Sequence, residues 1–348
     1  MIVEIIKGTA LLLLVLALFS LFSYKAPKGM KAMAALAGAA CAAFLVEAFQ
    51  LYVGGDLLGI EFLGEVGSAA GGMGGVAAAA LVALAVGASP VYALLLGVSV
   101  AGLGLLPGFI AGYLVAFLVK FIEKKVPGGL DLIVIIVVCA PLVRLIGEFM
   151  TPVVDATLLN IGGIITETAN SNPILMGIIL GGVITVVATA PLSSMALTAM
   201  LGLTGVPMAI GALAVFGSSF MNYVLFDRMK FGDRKTTISV AVEPLTQAHI
   251  ISANPIPVYV TNFVGGATAG VIIALSGLIN NATGTATPIA GLAVMYGFND
   301  PMKVTIVAAS CAVVGLICGC LGSVVFKNYK IKTVDQLEKT EGKEETAA

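Results

Sequence analysis

Val242-Glu243-Pro244-Leu245-Thr246-Gln247-Ala248-His249, followed by Ala253-Asn254-Pro255, is the stretch from which the rest of the chain can be read. It holds the only histidine among 348 residues. A carboxylate, an amide and an imidazole stand close together here, in a chain that is otherwise strongly apolar. Ionisable groups at membrane depth cost about 2.5–3.5 kcal/mol each on insertion scales, and they persist where they face a water-filled cavity or a ligand. Glu243-Pro244 also interrupts a helix, because Pro244 has no N–H and disfavours the α region for Glu243. Non-helical backbone in a bilayer is tolerated only where it lines a cavity or is buried in protein. The segment therefore reads as the tip of a re-entrant hairpin that presents acceptors and a donor to a polar ligand.

The surroundings of this tip are those of a membrane protein. Hydrophobic residues make up 59% of the chain and charged residues 11%, with a mean hydropathy of +1.08. These values exclude an ordinary soluble domain. Glycine is abundant at 42 residues and tryptophan is absent; small residues let membrane helices approach closely where no hydrophobic drive exists between them. The net charge of −1 gives no sign of a nucleic-acid partner. The five cysteines lie in apolar runs, and with a single histidine they have no zinc-like spacing. No metal and no cofactor is expected.

Spans need roughly 20 apolar residues. Candidates lie near 2–22, 30–52, 66–88, 91–106, 107–122, 130–150, 173–190, 206–226, 255–279 and 301–326. Shorter apolar pieces at 192–203, 238–251 and 289–298 suit re-entrant or half-spanning segments. The expected fold is all-α: a polytopic membrane protein with about ten transmembrane helices and two re-entrant hairpins. Basic residues cluster at 25–31, 120–125, 228–235 and from 327 onward, which places all four in the cytoplasm. Residues 1–150 read as an N-terminal membrane half, 151–172 as an amphipathic or external connector, 173–328 as a C-terminal membrane half that binds substrate, and 329–348 as a cytoplasmic tail.

A wider set of landmarks carries a resemblance. They are Pro191-Leu192-Ser193-Ser194, Gly217-Ser218-Ser219-Phe220-Met221-Asn222, the Glu243-Pro244 stretch, Asn254-Pro255-Ile256-Pro257 and Pro288-Ile289-Ala290-Gly291-Leu292. In this order they resemble the membrane-embedded enzyme IIC subunits of bacterial sugar phosphotransferase systems. The branch most similar is a stand-alone IIC type that includes membrane proteins named as regulators of toxin production. The resemblance implies a multi-pass protein of the bacterial plasma membrane that binds a sugar through the glutamate of the Glu-Pro motif. It also implies alternating access, an N-terminal half that forms a homodimer, and separate IIA and IIB phosphotransfer partners. In that family a histidine that contacts sugar lies elsewhere in the sequence, so His249 is not a positional match.

Each candidate residue has a structural role that competes with the functional one. Glu243 can accept hydrogen bonds from adjacent sugar hydroxyls, or pair with a nearby Arg234. His249 and Gln247 are either ligand contacts or satisfied polar groups. Asn254 before Pro255 has the chemistry of an N-cap and N1 pair, with its amide a further candidate contact. Ser193, Ser194 and Asn222 offer hydroxyls and an amide within apolar runs, where such groups also join helices. Arg144 and Glu148 are spaced for an i,i+4 ion pair. Gly71-Gly72-Met73-Gly74-Gly75 lacks the residues of a phosphate loop and reads as close helix packing.

No Walker motif is present, no second histidine could act as a phosphocarrier, and no cysteine lies in a polar loop with basic neighbours. Any phosphoryl-transfer chemistry is therefore expected on partner subunits. The expected function is the permease subunit of a phosphoenolpyruvate-dependent sugar phosphotransferase system. Two alternatives stay open: an ion-coupled secondary transporter, and a membrane sensor that binds a small ligand without transport.

Overall fold

The structure is a computed structural model that describes residues 2–190, 193–334 and 336. Pro191 and Leu192, and the charged tail at 335 and 337–348, lie outside the described residues. Those described form helices joined by short turns, with no strand among them beyond an isolated bridge between Gly205 and Asn280. Among the described residues six helices are long and apolar enough to cross a membrane: Gly29–Leu57, Leu105–Lys125, Leu130–Glu167, Gly205–Met229, Pro255–Ser276 and Pro301–Val325. A seventh span results if Glu61–Gly71 and Gly74–Val86, which meet at a 50° bend, count as one. The helices Pro90–Ser99, Pro173–Thr189 and Pro288–Phe298 are apolar but shorter.

The ten long apolar runs read from the sequence all carry helix, but the run at 66–88 is split at the 50° bend, and two others differ in length. The run at 91–106 yields a helix only over Pro90–Ser99, because turns around Gly102, at φ +80°, end it. The run at 130–150 continues to Glu167. Asp155, Asn160 and Thr166 stand on this helix, and the Ile, Leu and Val between them keep an apolar stripe.

The chain divides into two compact units. One comprises residues 2–165 and 195–203; the other comprises 166–194 and 204 onward. In the first unit, glycines set the helix contacts. A side chain at Gly75 would meet the Leu103 carbonyl oxygen at 2.2 Å, and one at Gly108 would meet the Gly75 carbonyl oxygen at 2.4 Å. The glycine-rich stretch is thus a packing seam within the chain. Arg144 and Glu148 form the expected i,i+4 pair at 2.6 Å, and Arg144 also donates to the Ala101 carbonyl. Both side chains are well exposed, so the pair adds little to stability.

In the second unit, helices Pro173–Thr189 and Pro255–Ser276 pack antiparallel through two Gly-x-x-x-Gly steps. Gly177 faces Gly270 and Gly181 faces Gly266, with each backbone where the other's side chain would be. One turn further, Thr185 Oγ1 donates to the Asn262 carbonyl at 2.8 Å. Gly217 and Gly315 make a similar approach between Gly205–Met229 and Pro301–Val325. Asp300 caps this last helix, accepting from the Lys303 N–H at 2.9 Å, as Asp300-Pro301 suggests.

The basic clusters meet in pairs. Val334 N–H donates to the Phe231 carbonyl at 3.1 Å, which joins the 228–235 loop to the start of the tail. In the first unit, Tyr113 hydroxyl donates to the Pro27 carbonyl at 2.8 Å, and Lys28 and Lys120 both donate to Val86. Within each unit the two basic clusters are neighbours in space. The expected outcome of single-cysteine labelling, in a chain with its native cysteines replaced, is that Lys235→Cys and Lys330→Cys are silent to an impermeant reagent in intact cells. Both should react after the cells are opened.

Candidate functional site

The Glu243-Pro244 break is present in the backbone. Asp233 starts a helix by accepting from the Thr236 N–H at 2.7 Å, and that helix, Arg234–Val242, ends at Glu243 with φ −148° and ψ 97°. Pro244 opens a single 3-10 turn over Pro244–Gln247, and a short helix, Ala248–Ala253, follows. The exposed carbonyl of Glu243 is satisfied locally, by the Thr246 N–H at 3.1 Å and hydroxyl at 2.8 Å. That leaves the side chain of Glu243 free to point elsewhere.

It points to a second tip. Thr287 Oγ1 donates to Glu243 Oε2 at 3.0 Å. Thr287 is buried and occupies the N-cap position of the apolar helix Pro288–Phe298. The loop that carries it is braced from within. Asn280 Nδ2 donates to Thr285 Oγ1 at 2.9 Å, and Thr285 Oγ1 donates to the Ala282 carbonyl at 2.7 Å. Gly291 is needed beneath the loop, since a Cβ there would stand 2.7 Å from the Thr285 carbonyl oxygen.

A third tip reaches the same loop. Ser194 Oγ donates to the Ala286 carbonyl at 2.6 Å. Its neighbour Ser193 is 2% exposed and has a φ of +59°, in the left-handed region that a residue with a Cβ seldom adopts. Such backbone strain persists where the surroundings over-determine it. The segment Ala286-Thr287 thus ties Ser194 to Glu243, residues far apart in sequence. Among the described residues Glu243 has no cation within salt-bridge distance, so the suggested partner Arg234 does not engage it.

The other predicted site residues occupy varied positions. Gln247 is half-buried, and its Nε2 donates to Thr246 Oγ1 at 3.3 Å. His249 is exposed on the short helix after it. Asn222 is fully buried, and its Oδ1 accepts from Asn262 Nδ2 at 2.7 Å. Its Nδ2, the Asn262 Oδ1 and the nearby-in-sequence Ser219 Oγ are buried without a hydrogen-bond partner. This polar group joins Gly205–Met229 to Pro255–Ser276 in the apolar interior.

Asn254 is fully buried, and its amide does not cap the helix that begins at Pro255. Instead Nδ2 donates to the carbonyls of Ile250 and Lys332, each at 2.9 Å, and Oδ1 accepts from the Lys332 N–H at 2.8 Å. The side chain pairs with the chain after the last span as a neighbouring strand would. Ile331 and Val334 flank this contact and pack on Phe231, Ile250, Ile251 and Val258.

Thr287 is a contact that sequence reading passes over, and Asn262 one that it ranks below the other candidates. A threonine before proline in a polar loop looks like any turn residue, and Asn262 lies inside an apolar helix. The arrangement can bind a polar, hydroxylated molecule through one carboxylate and several hydroxyls. Among the described residues, no three His, Cys, Asp or Glu side chains gather in one place.

Comparison with curated proteins and with solved structures gives no match. A family model described as phosphotransferase system, EIIC, matches residues 30–338. The match takes in both units and all three tips, and a family alignment of this extent leaves only the ends of the chain outside it. The chain belongs to the phosphotransferase-system EIIC family.

Proposed function

We propose that this protein is the sugar permease subunit of a phosphoenolpyruvate-dependent phosphotransferase system, and that Glu243 is the principal sugar contact. The observation that carries the proposal is the Glu243–Thr287 hydrogen bond at the meeting of broken helices, with Ser194 tied to the adjacent residue. A lone carboxylate held by a neutral hydroxyl keeps lone pairs available for vicinal hydroxyls of a sugar. Gln247 and His249 follow on the next turn and are proposed to complete the rim. Ser193 and Ser194 are proposed to contribute from the opposite tip. Asn222 and Asn254 are proposed to support the site through the helices and strap they join.

The mechanism proposed is alternating access, in which the second unit carries the sugar and the first forms a homodimer in the bacterial plasma membrane. About ten crossings with two re-entrant hairpins would accommodate the short helices Pro173–Thr189 and Pro288–Phe298 beside the long ones. A separate IIB protein, charged by IIA, would phosphorylate the sugar on the cytoplasmic side. Family membership supports these points in general terms.

Glu243→Gln is expected to weaken sugar binding while the protein remains folded. Loss of a charged acceptor costs about 1.5–3 kcal/mol, or roughly ten- to a hundredfold in affinity. The measurement is a titration of purified protein in nanodiscs with a panel of hexoses and disaccharides, using Glu243→Gln and Thr287→Val beside the unaltered chain. Unchanged affinity in Glu243→Gln would remove the residue from the site. Uptake into vesicles adds the second test: accumulation should require phosphoenolpyruvate and the soluble phosphotransfer proteins, and the sugar should arrive phosphorylated. Accumulation of unmodified sugar on an ion gradient alone would identify a secondary carrier instead, and binding without uptake would identify a sensor.

A further inference from the structure

The turn that joins the first two helices places a lysine where its charge is not answered. Lys28 lies in the left-handed region, at φ 57° and ψ 25°. The turn is pinned in that shape, because the preceding Pro27 carbonyl accepts from the Tyr113 hydroxyl at 2.8 Å, and Tyr113 is itself wedged between Phe22 and Phe117 with ring centroids 5.1 Å away on each side. The Lys28 ammonium donates to the Val86 carbonyl. Lys120, from a different helix, donates to the same carbonyl at 3.1 Å.

Two full positive charges thus converge on the C-terminus of Gly74–Val86, whose dipole amounts to only about half a negative charge. One carbonyl oxygen has two lone pairs, whereas two ammonium groups have six N–H donors between them. Among the described residues neither lysine has a carboxylate within salt-bridge distance. The acid closest along the chain to Lys120, Glu123, is turned to the Ser89 N–H at 3.2 Å. The Lys120 amine hydrogen-bonded beside it holds the Lys28 amine below the ordinary lysine range, with desolvation and the charges of Lys120, Lys31 and Lys124 adding to the effect.

Gly87 completes the arrangement. It follows Val86 at φ +101°, and a Cβ there would stand 3.2 Å from Lys28 Nζ and 3.4 Å from Lys120 Nζ. The bare α-carbon therefore leaves both ammonium groups a shared open approach. A simple helix cap would need one lysine; a second, against the repulsion of the first, fits a shared anion.

We propose that Lys28 and Lys120 bind a phosphate group above Gly87, supplied by the headgroup of an anionic lipid or by free phosphate. Several acceptor oxygens on one centre match donors that approach from a turn and a helix. Anionic lipid suits the location, since the basic clusters place this end of the unit at the cytoplasmic surface, where such headgroups lie. The site is separate from the sugar contacts and its test does not involve them.

The experiment titrates the purified full chain in a non-ionic detergent with dioctanoyl phosphatidylglycerol, inorganic phosphate, or dioctanoyl phosphatidylcholine. The thermal midpoint reports half-saturation. Saturable binding of phosphatidylglycerol, weakened at least tenfold in Lys28→Met and in Lys120→Met but less than twofold in a Lys31→Met, Lys124→Met double variant, supports the site with lipid as source. The same pattern with inorganic phosphate alone supports it with free phosphate as source. Equal binding in all variants, an equal loss in the double variant, or no preference over phosphatidylcholine overturns it. Native mass spectrometry of the unaltered chain gives a readout that needs no variant. One retained phosphatidylglycerol per chain supports the proposal with lipid as source; an open-ended series overturns it, and so does no retained lipid together with no variant-sensitive binding of inorganic phosphate.

Discussion

Gly181→Ala is expected to destabilise the second unit strongly, although it adds a single methyl group. A Cβ at this position would lie 2.2 Å from the Gly266 carbonyl oxygen and 2.9 Å from the Gly270 α-carbon. Both obstacles are backbone, so no rotamer change relieves them. The helices would have to separate, and with them the contacts of Gly177 with Gly270 and of Thr185 with Asn262. Overpacking commonly costs about 1–3 kcal/mol, and a rigid backbone seam belongs at or above the upper end. That corresponds to a fall of roughly 6–12 °C in thermal midpoint for a unit of this size. Gly163→Ala is the matched control, since nothing lies within 4 Å of its Cβ position. The comparison is made by thermal melts followed by size-exclusion chromatography in detergent. Equal midpoints for the two variants would show that the seam is looser than the structure has it.

The second large effect is expected from Asn254→Leu. The substitution keeps an apolar group of similar size but leaves the Ile250 carbonyl and both backbone groups of Lys332 without the amide that now serves them. Each such loss costs about 1–3 kcal/mol when water cannot replace it. Lys332 is itself exposed, so water compensates in part and a total near 2–4 kcal/mol follows. The strap at 331–334 should come free. Hydrogen exchange at Lys332 and Val334 should then speed up together, and so should exchange at residues 229–231 and 250–254 beneath it. A chain ended after Lys330 should reproduce the exchange pattern at 229–254. Unchanged exchange in both variants would mean that Ile331 and Val334 add nothing to the apolar cluster under them.

Much of this architecture was legible because helix and lipid impose simple rules. Apolar runs mark the helices, Glu243-Pro244 marks a break, and Asp300-Pro301 marks a cap; each is decided by neighbours in sequence. Charge marks the basic clusters in the sequence, and within each unit the two clusters lie together. What was not legible depends on distant partners. Asn254-Pro255 has the local form of an N-cap, yet the amide turns to Lys332 because two backbone groups there offer it a paired donor and acceptor. Thr287 is ordinary in its loop and gains meaning only from Glu243. The seam had a readable signal in the four-residue spacing of Gly177 with Gly181 and of Gly266 with Gly270. Its antiparallel register, however, follows from topology.

The links between the tips also bear on how the protein is made. Glu243 leaves the ribosome 44 residues ahead of Thr287, and Ser194 precedes Ala286 by 92 residues. At about 5–20 residues per second, the earlier tip waits roughly 5–20 s for its acceptor. For the last part of that interval the Glu243 carboxylate stands in nascent membrane protein before the threonine that donates to it has been made. Water or the surface of the insertion machinery must solvate it until Thr287 has emerged. The site proposed for sugar is among the last features that synthesis of this chain can complete.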